Sequence, residues 1–158
     1  MDDAGALAAK LQTEGDRLHD FMAGLGDRER ATRVYTEGMA WTVRNILAHL
    51  MSAERAFLRL FQQILEGGDG VAEDFVIDRY NADQQRRTEN MSWVELLDEY
   101  RNARASMVSF VESLPPADLE RQARHPFAGV TSLREMIKMV YIHNQAHLRD
   151  IRRALKTE

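Results

Sequence analysis

Three histidines lie at positions where helices could bring their imidazole rings together. His143 and His147 are four residues apart in the run Y-I-H-N-Q-A-H-L-R-D-I, and His49 lies in a second run with helical spacing, W-T-V-R-N-I-L-A-H-L-M-S-A-E. Residues four apart share one face of an α-helix, so both imidazoles can reach one ion while a neighbouring helix supplies a third nitrogen. Three neutral imidazoles suit zinc, nickel, iron or copper. The spacing therefore predicts a metal site formed by His49, His143 and His147, with coordination positions left for water or substrate.

Packing is the alternative explanation for these histidines. A single helical histidine is more often a partly buried residue bonded to backbone or carboxylate groups than a metal ligand. The pair and the third histidine together favour the metal interpretation, although the sequence contains no HExxH motif. His19 and His125 have no second histidine at a matching helical spacing, and we expect them to be structural or solvated.

Other polar residues are candidates for binding a substrate or a thiol carboxylate: Arg79, Tyr80, Asn81, Arg101 and Arg104. Asp150 lies three residues beyond His147, within reach of an imidazole N–H. A surface ion pair of Asp150 with Arg149 or Arg153 is nevertheless the favoured interpretation.

Composition limits the classes of protein that this chain can belong to. The 158 residues include no cysteine, which excludes disulfides, thiolate metal ligands and a cysteine nucleophile. No run approaches the roughly 20 apolar residues that a membrane helix needs, and the N-terminus is acidic, so we expect a cytoplasmic protein that does not bind membranes. The formal net charge of −4 argues against nucleic acid as a partner, and the clusters R-D-I-R-R and Q-Q-R-R are expected to be solvated helix surface.

The hydrophobic residues follow helical spacing almost throughout the chain. This pattern predicts a first helix over residues 4–25 and a second over residues 42–66, with Thr42 as its N-cap. The segment S-W-V-E is typical of a capping box, so a third helix should begin at Ser92 and end at the proline pair 115–116. A fourth helix should begin in the same way at S-L-R-E, with Ser132 and Glu135 as the capping box.

The connections between these helices predict how the helices are arranged. Residues 67–91 are too long for a structureless connection, which indicates a short extra helix and allows the second and third helices to run parallel. The run H-P-F-A-G-V-T before the fourth helix is rich in turn formers and could cover one end of the bundle. We therefore expect an all-α protein, a four-helix bundle, folded as one domain over residues 1–158.

Three segments resemble the DinB-like (DinB/YfiT) superfamily: W-T-V-R-N-I-L-A-H-L-M-S-A-E, S-W-V-E-L-L-D-E-Y-R and H-N-Q-A-H-L-R-D-I. The resemblance covers nearly the whole chain. It implies an up-down-down-up four-helix bundle in which His49, His143 and His147 hold a divalent metal. Relatives include metal-dependent thiol S-transferases that use bacillithiol, mycothiol or glutathione, and many others have no assigned reaction.

The resemblance implies a divalent metal, with zinc or nickel expected ahead of iron or copper, and also a low-molecular-weight thiol. As an enzyme, the chain would be a metal-dependent thiol S-transferase or hydrolase of a small electrophilic substrate, because an open metal position activates a thiol or water. The alternative is a non-catalytic metal-binding stress-response or dimerisation module, which a closed fourth position would favour. Relatives often form homodimers, so a homodimer is expected. The sequence identifies no general base.

Overall fold

Four long α-helices, two short α-helices, a 3-10 helix and a β-hairpin make up the described part of the chain. A computed structural model describes residues 3–157, so Met1, Asp2 and Glu158 lie outside the described residues. The elements in chain order are α1 (Ala4–Ala23), α2 (Asp27–Arg30), α3 (Val43–Leu65), α4 (Ile77–Thr88), α5 (Trp93–Glu112), a 3-10 helix (Pro116–Glu120), β1 (Gln122–His125), β2 (Gly129–Ser132) and α6 (Leu133–Lys156). None of the helices among residues 3–157 combines the length and the apolar character needed to cross a membrane.

The helices α3 and α5 run parallel, as the long connection between them allows. Arg44, at the start of α3, donates to the carbonyl oxygen of Met91, just before α5 begins, at 2.7 Å. Farther along the two helices, Arg55 pairs with Glu99. The connection between them contains α4, and Gln85 of α4 donates to the carbonyl oxygen of Asn45 at 2.8 Å. The predicted extra helix is confirmed, and it lies against the beginning of α3.

Two hydrophobic clusters show that α1 and α6 run opposite to α3 and α5. One cluster joins the beginnings of α1 and α6 to the ends of α3 and α5; its members include Leu7, Ile64, Val111 and Ile137. The other cluster joins the opposite helix ends; its members include Met22, Ile46, Leu96 and Ile151. The bundle is therefore up-down-down-up, and the expected four-helix fold is confirmed.

The predicted N-caps of the bundle helices are present. Thr42 and Asn45 exchange hydrogen bonds at the start of α3, and Ser92 and Glu95 do so at the start of α5. At α6, Ser132 accepts from the amide of Glu135 at 3.2 Å. The Glu135 carboxylate accepts from Lys138 at 3.3 Å. The capping box expected there is therefore only half formed.

A β-hairpin occupies part of the segment that the sequence predicts to be turns, and it is an addition to the expected all-α fold. The strands β1 and β2 pair antiparallel, and each has four residues, too few to show a convincing alternation of apolar and polar residues. The connection after α3 packs on β1, because Arg124 donates to the carbonyl oxygen of Asp69 at 2.8 Å and accepts from Val71 at 3.0 Å. Gly70 lies between them with φ of 97°, and a Cβ there would be 2.3 Å from the Arg124 carbonyl oxygen, so only glycine fits.

A buried ion pair crosses the bundle core between α3 and α5. The Arg104 guanidinium donates to both carboxylate oxygens of Glu54, at 2.5 and 3.0 Å, and to the carbonyl oxygen of Leu11 in α1 at 2.7 Å. It also donates to the side-chain oxygen of Asn144 in α6. Gly15 provides room for this arginine, because a Cβ at that position would lie 2.7 Å from Arg104 Cγ. The arginine thereby connects all four bundle helices.

Candidate metal centre

The three histidines named from the sequence lie together at one site. His49 comes from α3, and His143 and His147 come from α6, which runs antiparallel beside it. The Nε2 atom of His143 is 3.1 Å from that of His49 and 3.0 Å from that of His147. One ligand nitrogen from each of the three rings lies within 4.8 Å of the other two. Nitrogens bound to one tetrahedral zinc at about 2.0 Å would be roughly 3.3 Å apart, so the arrangement is close to that of a three-histidine metal site.

Burial keeps all three imidazoles neutral at physiological pH. Removal from water lowers the pKa of His49 to about 2, that of His143 to about 3 and that of His147 to about 4. Repulsion between the rings adds to the shift for His49 and His143, whereas the negative charge of Asp150 partly offsets it for His147. Because metal binding requires unprotonated nitrogens, these lowered pKa values suit a metal site.

Tyr35 connects His147 to Asp150 and assigns the tautomer of the histidine. The Tyr35 hydroxyl donates to Asp150 Oδ2 at 2.7 Å and lies 2.8 Å from His147 Nδ1. Burial and the adjacent carboxylate raise the pKa of Tyr35, so the hydroxyl keeps its single proton and gives it to Asp150. The tyrosine oxygen must then accept from an Nδ1–H of His147. The lone pair of Nε2 therefore faces the other two histidines, as metal coordination requires.

The role of Asp150 differs from the one favoured by the sequence. Its contact with Arg149 is 3.9 Å long, whereas its contact with Tyr35 is a short hydrogen bond. The expected surface ion pair is therefore the weaker of the two contacts. The sequence could not indicate the stronger contact, because Tyr35 lies in a loop 115 residues earlier and belongs to no periodic pattern.

The loop before α3 places Tyr35 and Trp41 beside the histidines. The amides of Val34 and Tyr35 both donate to the carbonyl oxygen of Trp41, at 2.9 and 3.1 Å, which folds the loop back on itself. The Trp41 ring lies against that of His49, with 4.7 Å between the ring centroids. This ring contact restricts the orientation of His49, while Tyr35 fixes that of His147.

A cavity of about 310 Å³ opens beside the three histidines. It lies between α3, α4, the connection that joins them and the loop of the hairpin. The lining residues apart from the histidines are mainly apolar: Trp41, Ala53, Ala56, Phe57, Leu60, Val71, Phe75, Ile77, Tyr80, Asn81, Pro126 and Phe127. The site therefore has an open side on which a small molecule can approach the histidine nitrogens.

The substrate-binding candidates named from the sequence divide into residues that line the cavity and residues that do not. Tyr80 and Asn81 line the cavity, as a substrate-binding role requires. Arg79 and Arg101 are exposed and do not line it. Arg104 is buried in the core and bound to Glu54, so its assignment to a substrate carboxylate was wrong. Among the described residues that line the cavity there is no carboxylate, so the structure, like the sequence, identifies no general base.

His125 is buried rather than solvated. Its Nδ1 accepts from the amides of Phe127 and Ala128, each at 3.2 Å, and its ring stacks on Phe57 with 5.6 Å between the centroids. Two of these neighbours, Phe57 and Phe127, line the cavity. His125 therefore holds the wall of the cavity in place, which agrees with the structural role expected for it.

The donor set fits a divalent transition metal. Three unprotonated imidazole nitrogens converge from two rigid helices, two of the rings are oriented by neighbouring side chains, and one side is open to the cavity. Nitrogen ligands of this kind suit zinc, nickel, iron and copper, and they do not suit magnesium or calcium, which prefer oxygen.

Solved structures with this fold include proteins of different described activity. YfiT from Bacillus subtilis, described as a probable metal-dependent hydrolase with an unusual four-helix bundle topology, superposes with a TM-score of 0.79 at 15% identity over 98% of this chain and 86% of its own. The sibling lethal factor precursor DfsB superposes with a TM-score of 0.79 at 15% identity over 99% of this chain and 97% of its own. At such identities the likeness shows the fold alone. No curated protein matches the sequence.

A third similar structure corrects the expectation that nucleic acid is excluded. The colibactin self-resistance protein ClbS, solved in complex with dsDNA, superposes with a TM-score of 0.73 at 14% identity and covers 96% of each chain. The exclusion relied on the net charge of the whole chain and is wrong, because a fold of this kind can bind DNA. Local clusters of cationic residues, and not the average charge, decide contacts with phosphate groups.

The sequence itself shows the family. The family model of the DinB superfamily matches residues 10–151, which include all four bundle helices in whole or in large part and all three histidines of the site. The match agrees with the up-down-down-up helix order and with the resemblance seen in the three sequence segments. This chain belongs to the DinB superfamily.

Proposed function

We propose that this chain is a divalent-metal-dependent enzyme that acts on a small electrophilic substrate, with water or a low-molecular-weight thiol as the nucleophile. The observation that carries the proposal is the convergence of three Nε2 atoms at the wall of a cavity of about 310 Å³. The description of YfiT as a probable metal-dependent hydrolase supports it. An open side at the histidines favours an enzyme over a purely structural metal site, in which the fourth position is closed by the protein.

The residues of the chain would hold the metal and orient the histidine rings that bind it. His49, His143 and His147 would hold the metal, and Tyr35 and Trp41 would keep two of the rings in position. When bound, the metal would supply Lewis acidity, which lowers the pKa of water or a thiol and activates it as a nucleophile. The apolar lining would exclude bulk water and hold the electrophile beside the histidines.

Metal content tests this proposal. Untagged protein purified without chelators should contain near-stoichiometric metal by elemental mass spectrometry. The double variant His143→Ala/His147→Ala should contain little, and His19→Ala, a control at a histidine outside the site, should match the parent. No metal in the parent, even after incubation with zinc or nickel, would overturn the proposal. Metal without turnover of any activated ester, epoxide or thiol acceptor would favour the non-catalytic module.

A second candidate function, binding to duplex DNA, is favoured by a basic groove between α1 and α6. Five cations line it: Arg17, Arg149, Arg152, Arg153 and Lys156. The four from α6 are spaced i, i+3, i+4 and i+7, which places them on one helical face and spans about 10 Å. The one acidic residue in the lining, Glu14, is already paired with Lys10 and Arg17. The complex of ClbS with dsDNA supports this candidate.

Fluorescence anisotropy with a labelled duplex tests the DNA candidate. Binding should weaken steeply between about 50 mM and about 200 mM salt, because phosphate contacts release counterions. The variant Arg153→Glu/Lys156→Glu should lose at least about tenfold in affinity, since two attractive contacts become repulsive. The control Arg86→Glu/Arg87→Glu makes the same change in charge on α4. Equal losses in both variants, or no binding by the parent at low salt, would exclude the groove as a DNA site.

Three further expectations stay predictions. They are that residues 1–158 fold as one domain, that the chain forms a homodimer, and that it works in the cytoplasm. Light scattering on the purified protein would measure the oligomeric state directly.

A further inference from the structure

Apart from the three histidines, the lining of the cavity consists of uncharged side chains. Among the described residues, none of the side chains that line it is an arginine, a lysine or a carboxylate. The polar lining groups apart from the histidines are Tyr80 and Asn81. The rest are aromatic or aliphatic, including Phe57, Phe75 and Phe127. A ligand must therefore enter largely on the strength of apolar contact.

This lining disfavours charged or heavily hydroxylated ligands. A carboxylate or a sugar that enters the cavity loses its hydration, and the walls offer few groups to replace the lost hydrogen bonds. Arg79 and Arg101, the cations expected from the sequence to bind a carboxylate, do not line the cavity, and Arg104 is already paired in the core. The body of the ligand should accordingly be uncharged.

Tyr80, a residue of the cavity lining, has a hydroxyl group that is left without a partner among the described residues. The oxygen of this hydroxyl is buried. The ring packs against Phe75 with 5.7 Å between the centroids, so it is held in place at the cavity wall. A buried hydroxyl without a partner is unfavourable, and an acceptor atom on a ligand would relieve that cost.

We propose that the cavity binds an uncharged, largely aromatic molecule that carries one hydrogen-bond acceptor, such as a carbonyl oxygen, to which the Tyr80 hydroxyl donates. We identify this ligand with the electrophilic substrate of the function proposed above. That identification is the part of the inference that rests on the proposed function. The proposal names an aromatic ester as the substrate class, because attack of water on its carbonyl carbon breaks the bond to the alkoxy oxygen and releases a carboxylic acid and an alcohol. Of the two nucleophiles proposed above, the apolar lining therefore favours water over a charged or polyhydroxylated thiol.

Three probes of matched shape test the proposal by calorimetry: 2-acetylnaphthalene, which has an acceptor; naphthalene, which has none; and 2-naphthoate, which is charged. The chelator-treated full chain is used, so that coordination to a metal cannot contribute to binding. We expect 2-acetylnaphthalene to bind most tightly, naphthalene more weakly and 2-naphthoate least. If the proposed metal site is absent, elemental mass spectrometry will find no metal. If the present proposal is wrong, these calorimetric affinities will show it.

The variant Tyr80→Phe removes the hydroxyl and keeps the ring. Its affinity for 2-acetylnaphthalene should fall about fivefold, as the loss of one hydrogen bond predicts, while its affinity for naphthalene should stay the same. Unchanged affinity for 2-acetylnaphthalene would overturn the role of Tyr80. Binding of 2-naphthoate as tight as that of the ketone, or binding of no probe by the parent, would overturn the assignment of an uncharged ligand.

Discussion

At the scale of single residues, the Tyr35 hydroxyl determines which ring nitrogen of His147 carries the proton. Tyr35 has one proton, which the carboxylate of Asp150 attracts, so its oxygen must accept from His147 Nδ1. The opposite nitrogen of His147 then carries the lone pair that a metal needs. Neighbours of this kind commonly determine both the tautomer and the basicity of a histidine ligand.

The variant Tyr35→Phe should weaken zinc binding by about tenfold or more, because His147 loses the acceptor that fixes its ring. Competition with a chromophoric chelator measures this affinity. The companion variant Asp150→Asn leaves the tyrosine in place and still offers it an oxygen acceptor, so its loss should be smaller. Equal zinc affinity in the parent and Tyr35→Phe would show that the tyrosine does not orient the ligand.

At the scale of elements, the hairpin holds a neutral histidine that stabilises the fold only above acidic pH. Burial lowers the pKa of His125 to about 4 from an ordinary value of 6.5. Between these values the unfolded chain binds the proton and the folded chain does not, so protons favour unfolding. The stability contributed by neutral His125 is complete above about pH 6.5 and is lost as the pH falls towards about 4.

The variant His125→Asn keeps an acceptor near the Phe127 and Ala128 amides and removes the titrating group. Urea unfolding in the presence of a chelator, at pH values between 6.5 and 4.5, should show a shallower pH dependence for the variant. The expected difference in slope is up to about 1.4 kcal/mol per pH unit, the effect of one proton. Other groups titrate in both proteins and cancel in the comparison. Identical slopes would show that burial does not shift the pKa of His125.

At the scale of the whole molecule, the histidine site connects two helices that are distant in sequence. His49 lies in α3, whereas His143 and His147 lie in α6, and the two antiparallel helices otherwise meet through apolar side chains. A metal bound by all three would join them only in the folded state. Its binding energy therefore adds to the stability of the fold.

Zinc at about 100 times its dissociation constant should stabilise the fold by about 2.7 kcal/mol, which raises Tm by roughly 5–10 °C for a chain of this size. Scanning calorimetry with and without zinc measures the change. The double variant His143→Ala/His147→Ala should show almost no rise. A rise of similar size in that variant would mean that zinc binds elsewhere.

Sequence patterns predicted the helices and the histidine site because both depend on local spacing. Thr42 and Ser92 cap helices through residues three positions away, and His143 and His147 share a face because they are one helical turn apart. His49 could be assigned to the same metal site because its sequence run was recognisable as a second helix. The length of the connection after α3 allowed α3 and α5 to be parallel, and the family resemblance implied that they are.

Contacts between residues far apart in sequence were decided by the tertiary structure. The sequence by itself determined a four-helix bundle with three histidines able to meet, since spacing along a helix sets which side chains share a face. It did not show that Tyr35 would reach His147 and Asp150, that Arg104 would be buried against Glu54, or that an uncharged cavity would open beside the histidines. Each of these features depends on how loops and helices pack, and no local pattern records such packing.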